Sequence, residues 1–220
     1  MRRYWLLGGL VIGAILLSWL IPNPGKPLDA QALALLPWAV EPMPEGKSKV
    51  FGITLGESRL SDLQAVLGDD LELAIVAAPG EEGNLEAYYS QLLLGYIQAR
   101  MIVTVDASKE QIFKMRERAP KAEYMEGATK KIRLHPDDFS AVRQLPVRAL
   151  AVIPSVNLDE GVIIERFGAA AERLEDAHNR VHLLYPAKGV AIVVDQKGKE
   201  LLQYVAPRNF TALREPLRSQ

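Results

Sequence analysis

Residues 181–205 read VHLLYPAKGVAIVVDQKGKELLQYV, and this stretch decides the fold class. Val181 to Tyr185, Gly189 to Val194 and Glu200 to Val205 are short runs of branched and aromatic residues, the side chains that pack well on a pleated surface. Pro186 to Gly189 separates the first two. Asp195-Gln196-Lys197-Gly198 separates the second two and suits a type I turn with glycine in the left-handed position. The expected product is an antiparallel meander. Pro207 ends its last strand, and Phe210 and Leu213 predict a short terminal helix tucked against the sheet.

Just upstream, Asp159 is placed to cap a helix through Val162, Ile163 and Phe167 that stops at Gly168. The same order occurs earlier. Gly56 and Ser58 lead into an amphipathic helix, roughly Arg59 to Leu67, with Leu60, Leu63, Val66 and Leu67 on one face and Gly68 as its stop. Strands are expected at Leu71 to Ala77, Leu85 to Gln91 and Tyr96 to Val105. In the last, Met101, Val103 and Val105 alternate with Ile102 and Thr104. Two halves of helix, glycine and three strands are read either as an internal repeat or as two instances of a common α+β unit, since residue identity between them is low. Between them, Ser108 and Gln111 form a capping box for a helix to about Arg118, and 121–130 is polar and indistinct. Lys131 to Leu134 reads as a strand, Pro136 opens a helix over Asp137 to Arg143, and Val147 to Ile153 reads as a buried strand.

The N-terminus is of another kind. Tyr4 to Ile21 is uncharged, and its length as a helix is roughly 27 Å, close to a hydrocarbon core. Arg2 and Arg3 precede it, so the positive-inside rule leaves the N-terminus in the cytoplasm and places the remainder outside. Tyr4, Trp5 and Trp19 sit near the two interfaces. A cleaved signal is the competing reading, but the small-x-small triplets Ala30-Gln31-Ala32 and Ala32-Leu33-Ala34 lie well past the apolar core. Gly9 and Gly13 make a GxxxG, the spacing that lets two helix backbones approach in lipid and supports a weak homodimer. The expected organisation is a membrane anchor at 1–21, a stalk at 22–46 punctuated by six prolines, a first α+β half at 47–145 and a second at 146–220. The fold class is α+β: an N-terminal transmembrane helix followed by antiparallel strands with short helices. The implied location is the inner, cytoplasmic membrane, single-pass, with the domain in the periplasm.

Composition narrows function by exclusion. A formal net charge of −1 and no cysteine argue against a nucleic-acid partner and rule out disulfides, thiol chemistry and a lipid-bearing cysteine. Gly46-Lys47-Ser48 lacks the upstream glycine of a P-loop, because Glu41 stands there. No sequence motif implies a cofactor or a catalytic constellation. Histidines 135, 178 and 182 are the general acid-base and metal-ligating candidates. His178 and His182 are four residues apart, but the surrounding pattern is a strand. His135 precedes Pro136, Asp137 and Asp138, where the two aspartates suit the start of a helix. Charge is segregated: residues 57–86 are rich in acids, whereas Lys114, Arg116, Arg118, Lys121, Lys130, Lys131 and Arg133 make a basic strip, a candidate contact for an anionic surface.

A family resemblance rests on the helix ending in Phe167-Gly168, on Leu184-Tyr185-Pro186, on Gly189 and on Gln203-Tyr204, with Gly56, Ser58 and Leu67-Gly68 echoing the same opening. In these positions the chain resembles the SmpA/OmlA-type outer-membrane assembly lipoproteins of Gram-negative bacteria. Members of that family carry a lipidated cysteine, which this chain replaces with its apolar run. The resemblance implies a small α+β envelope module and an envelope protein as partner. The expected function is a membrane-anchored, non-catalytic binding or envelope-assembly module. The alternative is a small hydrolase or metal-binding enzyme built around His135 or the pair His178 and His182. The pairing of anchors is directly testable: replacing Gly9 and Gly13 with Ile should abolish self-association in a membrane-association reporter, and an unchanged signal would remove the homodimer.

Overall fold

The computed structural model describes residues 29–195 and 197–218. The apolar run at 4–21, with Gly9 and Gly13, lies outside them. Among the described residues no helix is long and apolar enough to cross a membrane.

The chain is α+β. After α1 (Ala30–Ala34), strands β1 (Glu41–Met43), β2 (Lys47–Val50) and β3 (Ile53–Thr54) form a small antiparallel sheet. Then come α2 (Leu60–Leu67), β4 (Glu72–Ala77), β5 (Asn84–Leu94), β6 (Ile97–Val105), α3 (Lys109–Arg118), β7 (Lys121–Tyr124), β8 (Lys130–Arg133), α4 (Phe139–Val142) and β9 (Val147–Pro154). The chain closes with α5 (Glu160–Phe167), β10 (Glu172–Glu175), β11 (Val181–Tyr185), β12 (Val190–Val194), β13 (Leu201–Val205) and α6 (Thr211–Arg218). Strands β4 to β13 make one ten-stranded antiparallel sheet in the order β10-β11-β12-β13-β9-β6-β5-β4-β8-β7.

Local chemistry explains the elements. Ser108 and Gln111 form the expected capping box on α3, with Ser108 N–H donating to Gln111 Oε1 at 2.8 Å and Gln111 N–H to Ser108 Oγ at 3.2 Å. Asp159 Oδ1 accepts from Val162 N–H at 2.8 Å and starts α5. Alternation then sends every second strand residue to one face. From β6, Met101, Val103 and Val105 enter the main core with Leu85, Ala87 and Tyr89 of β5. Residues of α2, α3, α4 and α5, among them Leu63, Met115, Val142 and Phe167, pack on that same face. Each large apolar side chain removed from water there contributes about 1.5–3 kcal/mol. A smaller cluster lies on the opposite face, where Phe210 and Leu213, as expected for a tucked terminal helix, cover Leu184, Ala191 and Val205. Arg214 of α6 also pairs with Glu172 of β10 at 2.9 Å.

The two halves share a device. Gly68 closes α2 at φ 93°, Gly168 closes α5 at φ 86°, and a buried tyrosine two strands downstream donates to each glycine carbonyl. Tyr89 reaches Gly68 at 2.9 Å and Tyr185 reaches Gly168 at 3.1 Å. Burial pushes the Tyr89 hydroxyl up to about 12, with the negative charge of Asp69 adding to the shift. The match aligns β4, β5 and β6 with β10, β11 and β12. Read outward from the β9–β13 seam, the sheet order is then the same in both directions until β8 and β7 extend one side. This alignment shifts the expected repeat by one strand, because β10 (sequence ERLE) precedes the meander. It also makes β9 the fourth strand of the first unit. A division at residue 146 therefore cuts through shared pairing, since β9 pairs with both β6 and β13.

Three other expectations are corrected. The proline-rich segment is not a free-standing stalk from Gln31 onward: Leu36 is buried, Leu35 and Trp38 pack on the main core, and Arg166 stacks over the Trp38 ring at 5.3 Å. Its prolines shape a strap, and β1 pairs with β2. The polar stretch at 121–130 contains β7, paired with β8. Finally, Gly198 is not left-handed; Asp195 Oδ1 accepts from Lys197 N–H at 2.8 Å and makes the turn with its side chain.

Tyr89→Phe and Tyr185→Phe each remove one buried hydroxyl and strand one glycine carbonyl. Each should cost about 1–2 kcal/mol in chemical denaturation. A cost at one position only would show that the two devices are not equivalent.

Candidate functional site

The face of the sheet turned away from α2 to α5 is the candidate site. Helix α6 covers its β10–β13 corner and reaches Ala149 of β9. The registers build cross-strand rows across the face: Tyr88 opposite Ile102, Ile102 opposite Ala151, Ala151 opposite Gln203, and next to it Glu86 opposite Thr104 and Thr104 opposite Ala149, where the second row meets the α6 cluster. Tyr88, Ile102, Ala151 and Ile153 are half-buried by their strand neighbours and belong to neither core cluster. The sequence carried this signal in the second phase of the β6 alternation. What it lacked was any sign that, among the described residues, no helix covers the middle of that phase.

Glu86 stands in this face with no ion pair among the described residues. Burial against its neighbours raises its carboxyl above the ordinary glutamate range. At the bulged start of β9, Arg148 Nη2 donates to Asn84 Oδ1 at 3.0 Å, so a polar end adjoins the apolar centre. An open cleft of about 430 Å³ lies on another part of the surface, lined by Gln64, Asp69, Glu72, Arg133, Phe139 and Arg143. Two of its groups already bond each other, Gln64 Nε2 donating to Asp69 Oδ1 at 2.9 Å.

The histidines are engaged separately. His182 is buried on β11 with Nε2 3.0 Å from Asp176 Oδ2, while His178 is exposed in the turn and contributes its backbone N–H to Asp176 Oδ1 at 2.8 Å. Arg180 Nε also donates to Asp176 at 2.7 Å. Asp176 is thus the hub of the β10–β11 hairpin. The hydrogen bond from His182 above all, then those from Arg180 and the His178 backbone, holds its carboxyl far below the usual carboxylate range. At the other candidate, His135 itself is the cap: its Nδ1 accepts from Asp137 N–H at 3.3 Å. Asp138, expected at the helix start as a capping charge, is buried and ion-paired with Arg118. Among the described residues no group of three or more His, Asp or Glu side chains is arranged to hold a metal.

The basic strip finds partners within the fold. Lys114 pairs with Glu110 at 2.6 Å, Arg116 Nη1 donates to the Glu82 carbonyl at 2.7 Å, and Lys121 pairs with Glu123 at 2.6 Å. Lys131 meets Glu72 at 2.7 Å, Arg133 lies 3.8 Å from Glu123, and Lys130 stands 5.4 Å over the Tyr124 ring. Most of these pairs lie within residues 109–133 themselves; the acidic run of 57–86 meets them at Lys131–Glu72, where β8 pairs with β4, and at Lys109–Glu82, 3.3 Å, where α3 adjoins the β4–β5 turn. These exposed pairs are worth little individually, but they reduce the free positive field that an anionic surface would meet.

Comparison with protein-family models, curated proteins and solved structures finds no match to the chain.

The role of Asp176 is testable by pH. A carboxylate depressed in the folded state contributes stability above its unfolded pKa of about 3.9, and that contribution is lost as pH falls through and below it. Asp176→Asn should lower the denaturation midpoint at pH 7, and the gap to the parent should shrink steadily below about pH 4. A gap independent of pH would mean that shape, not charge, makes Asp176 the hub.

Proposed function

We propose that the chain is a membrane-anchored, extracytoplasmic binding or envelope-assembly module, held in the cytoplasmic membrane by Tyr4 to Ile21, with its folded unit in the periplasm. It works by docking a protein partner on the open sheet face. The observation that carries this reading is the apolar centre of that face, Tyr88, Ile102 and Ala151, which neither core cluster absorbs. An apolar row bordered by Glu86, Arg100 and Arg148 has the build of a protein-docking surface, with an apolar centre and a polar rim.

Strand addition is the less favoured mode. The two outer strands, β7 (KAEY) and β10 (ERLE), are four residues long and charged, which discourages a further strand from pairing. Catalysis at the histidines is disfavoured because His135 caps a turn and His182 is bonded to the Asp176 hub. The resemblance to SmpA/OmlA-type modules adds to the assembly reading without supplying a site, since its residues Gly168, Tyr185 and Tyr204 serve the fold.

A photo-crosslinking amino acid at Ile102 or Ala151 of the full-length protein in cells should give a discrete adduct that the same group at exposed Phe113 does not. Ile102→Glu should abolish the adduct formed from position 151, whereas His135→Ala and His178→Ala should leave it intact. No face-specific adduct, or one lost with the histidines, would overturn the reading.

A further inference from the structure

A second exposed apolar group lies at one end of the strands, built from three separate segments. Leu93 and Tyr96 flank the β5–β6 turn and are 60% and 53% exposed, Leu33 of α1 is 40% exposed, and Val156 after β9 is 46% exposed. The segments converge. A Cβ on Gly95 would meet the Ala32 carbonyl and Leu36 Cδ2, each at 2.7 Å, so the turn is pressed against the end of α1. Ser155 N–H donates to the Gln98 carbonyl at 2.8 Å, which puts Val156 beside the residue that pairs with Leu93. Cations border the group: Arg100 is exposed on β6, and Lys199 Nζ donates to the Ser155 carbonyl at 3.0 Å.

We propose that this pole of the domain seats on the membrane that holds the anchor, with Leu93, Tyr96, Leu33 and Val156 entering the boundary between lipid headgroups and acyl chains. The inference rests on the anchor reading given above. A tyrosine among aliphatic side chains, rimmed by Arg and Lys, is the side-chain chemistry of that boundary, where an amphipathic ring and long basic side chains reach anionic headgroups. A rival patch exists. Tyr124 and Met125, 74% and 51% exposed, lie at the β7–β8 turn, at the other end of the strands and roughly 33 Å away along β5.

Chain connectivity decides between the two poles. Only Pro22 to Asp29 separates the apolar run from α1, a reach of at most about 29 Å. Helix α1 carries Leu33 and abuts the Gly95 turn, so the short tether joins the folded unit at the Leu93 pole, not at the Tyr124 pole. The occupant of the patch is therefore the outer leaflet surface beside the protein's own anchor.

The chain has no cysteine, so single labels are directly placed. The full-length protein, reconstituted in vesicles of phosphatidylethanolamine and phosphatidylglycerol, is labelled with a fluorophore at Leu33→Cys, Leu93→Cys or Val156→Cys, with Met125→Cys as the distal reference. Nitroxides carried on lipid chains should quench the first three at least roughly threefold more than the label at 125, as expected for side chains about 5–10 Å into the interface. Flotation after an alkaline wash reads the anchor separately. A chain that stays with the vesicles while its labels at 33, 93 and 156 are quenched no more than the label at 125 overturns the seating and leaves the anchor. A chain that leaves the vesicles overturns both. Because the three positions lie on separate segments, misfolding of one variant does not decide the outcome.

Discussion

The hydroxyl of Tyr204 is enclosed in the core, where an unpaired donor would cost more than the hydrogen bond is worth. It donates to the carbonyl of Pro37 at 3.0 Å, across 167 residues of sequence. Proline lacks a backbone N–H, and its carbonyl here has no helix or sheet ladder to join, so each group answers the other's need. The same ring meets Phe51 edge-on at 5.5 Å. Phe51 is held at φ 49°, an unfavourable conformation for a bulky residue, in the two-residue turn between β2 and β3. That strain persists because the ring is wholly buried and nothing smaller would fill its place. One side chain on the strand next to the seam thus fixes the strap, the small sheet and the first turn of the folded unit. Burial holds its phenol well above the ordinary tyrosine range, so it remains a donor at any physiological pH.

A second constraint follows from width. A sheet of ten strands has two faces, and α2 to α5 together with the strap are committed to one of them. Helix α6 reaches the corner at Leu184, Ala191 and Val205 and the edge of β9 at Ala149. Among the described residues no helix covers the middle of the second face, which is left to side chains that must tolerate water and yet are too apolar to prefer it. Tyr88, Ile102 and Ala151 are of this kind. Glu86, whose charged form is disfavoured there, marks where the face begins to turn polar.

The meander was legible because β-branched alternation and turn residues are local properties, as were the caps at Ser108 and Asp159 and the stops at Gly68 and Gly168. Strands β7 and β10 were not. An outermost strand whose residues are all at least partly open to water needs no apolar phase, and KAEY and ERLE look like loop. The strap was misread for a different reason: six prolines suggest a spacer, but burial of Leu36 and docking of Trp38 depend on surfaces supplied from residues 166 and 204. His135 shows the same limit at closer range, since its ring took the capping position that the neighbouring aspartates could equally have filled. The segregated charges were legible as runs, but not as two runs that meet. The open face was half-visible: its residues were named by alternation, its openness was not.

The two proposed surfaces constrain each other. Strands that stand with the Leu93 end on the bilayer direct both sheet faces sideways, along the membrane plane. The row of Tyr88, Ile102 and Ala151 lies nearer that end than the row of Glu86, Thr104 and Ala149, because the register advances from Leu94 toward Asn84 along β5. On the seating proposed above, the apolar part of this face would be the part closer to lipid, and the polar part with Arg148 and Asn84 the more distant. A partner free in the aqueous space would meet this gradient from its polar end. A partner anchored in the same membrane would meet both rows at once, with diffusion already reduced to two dimensions and much of the rotational cost of docking removed. If the domain seats as proposed, the arrangement would favour a membrane-bound partner over a free one.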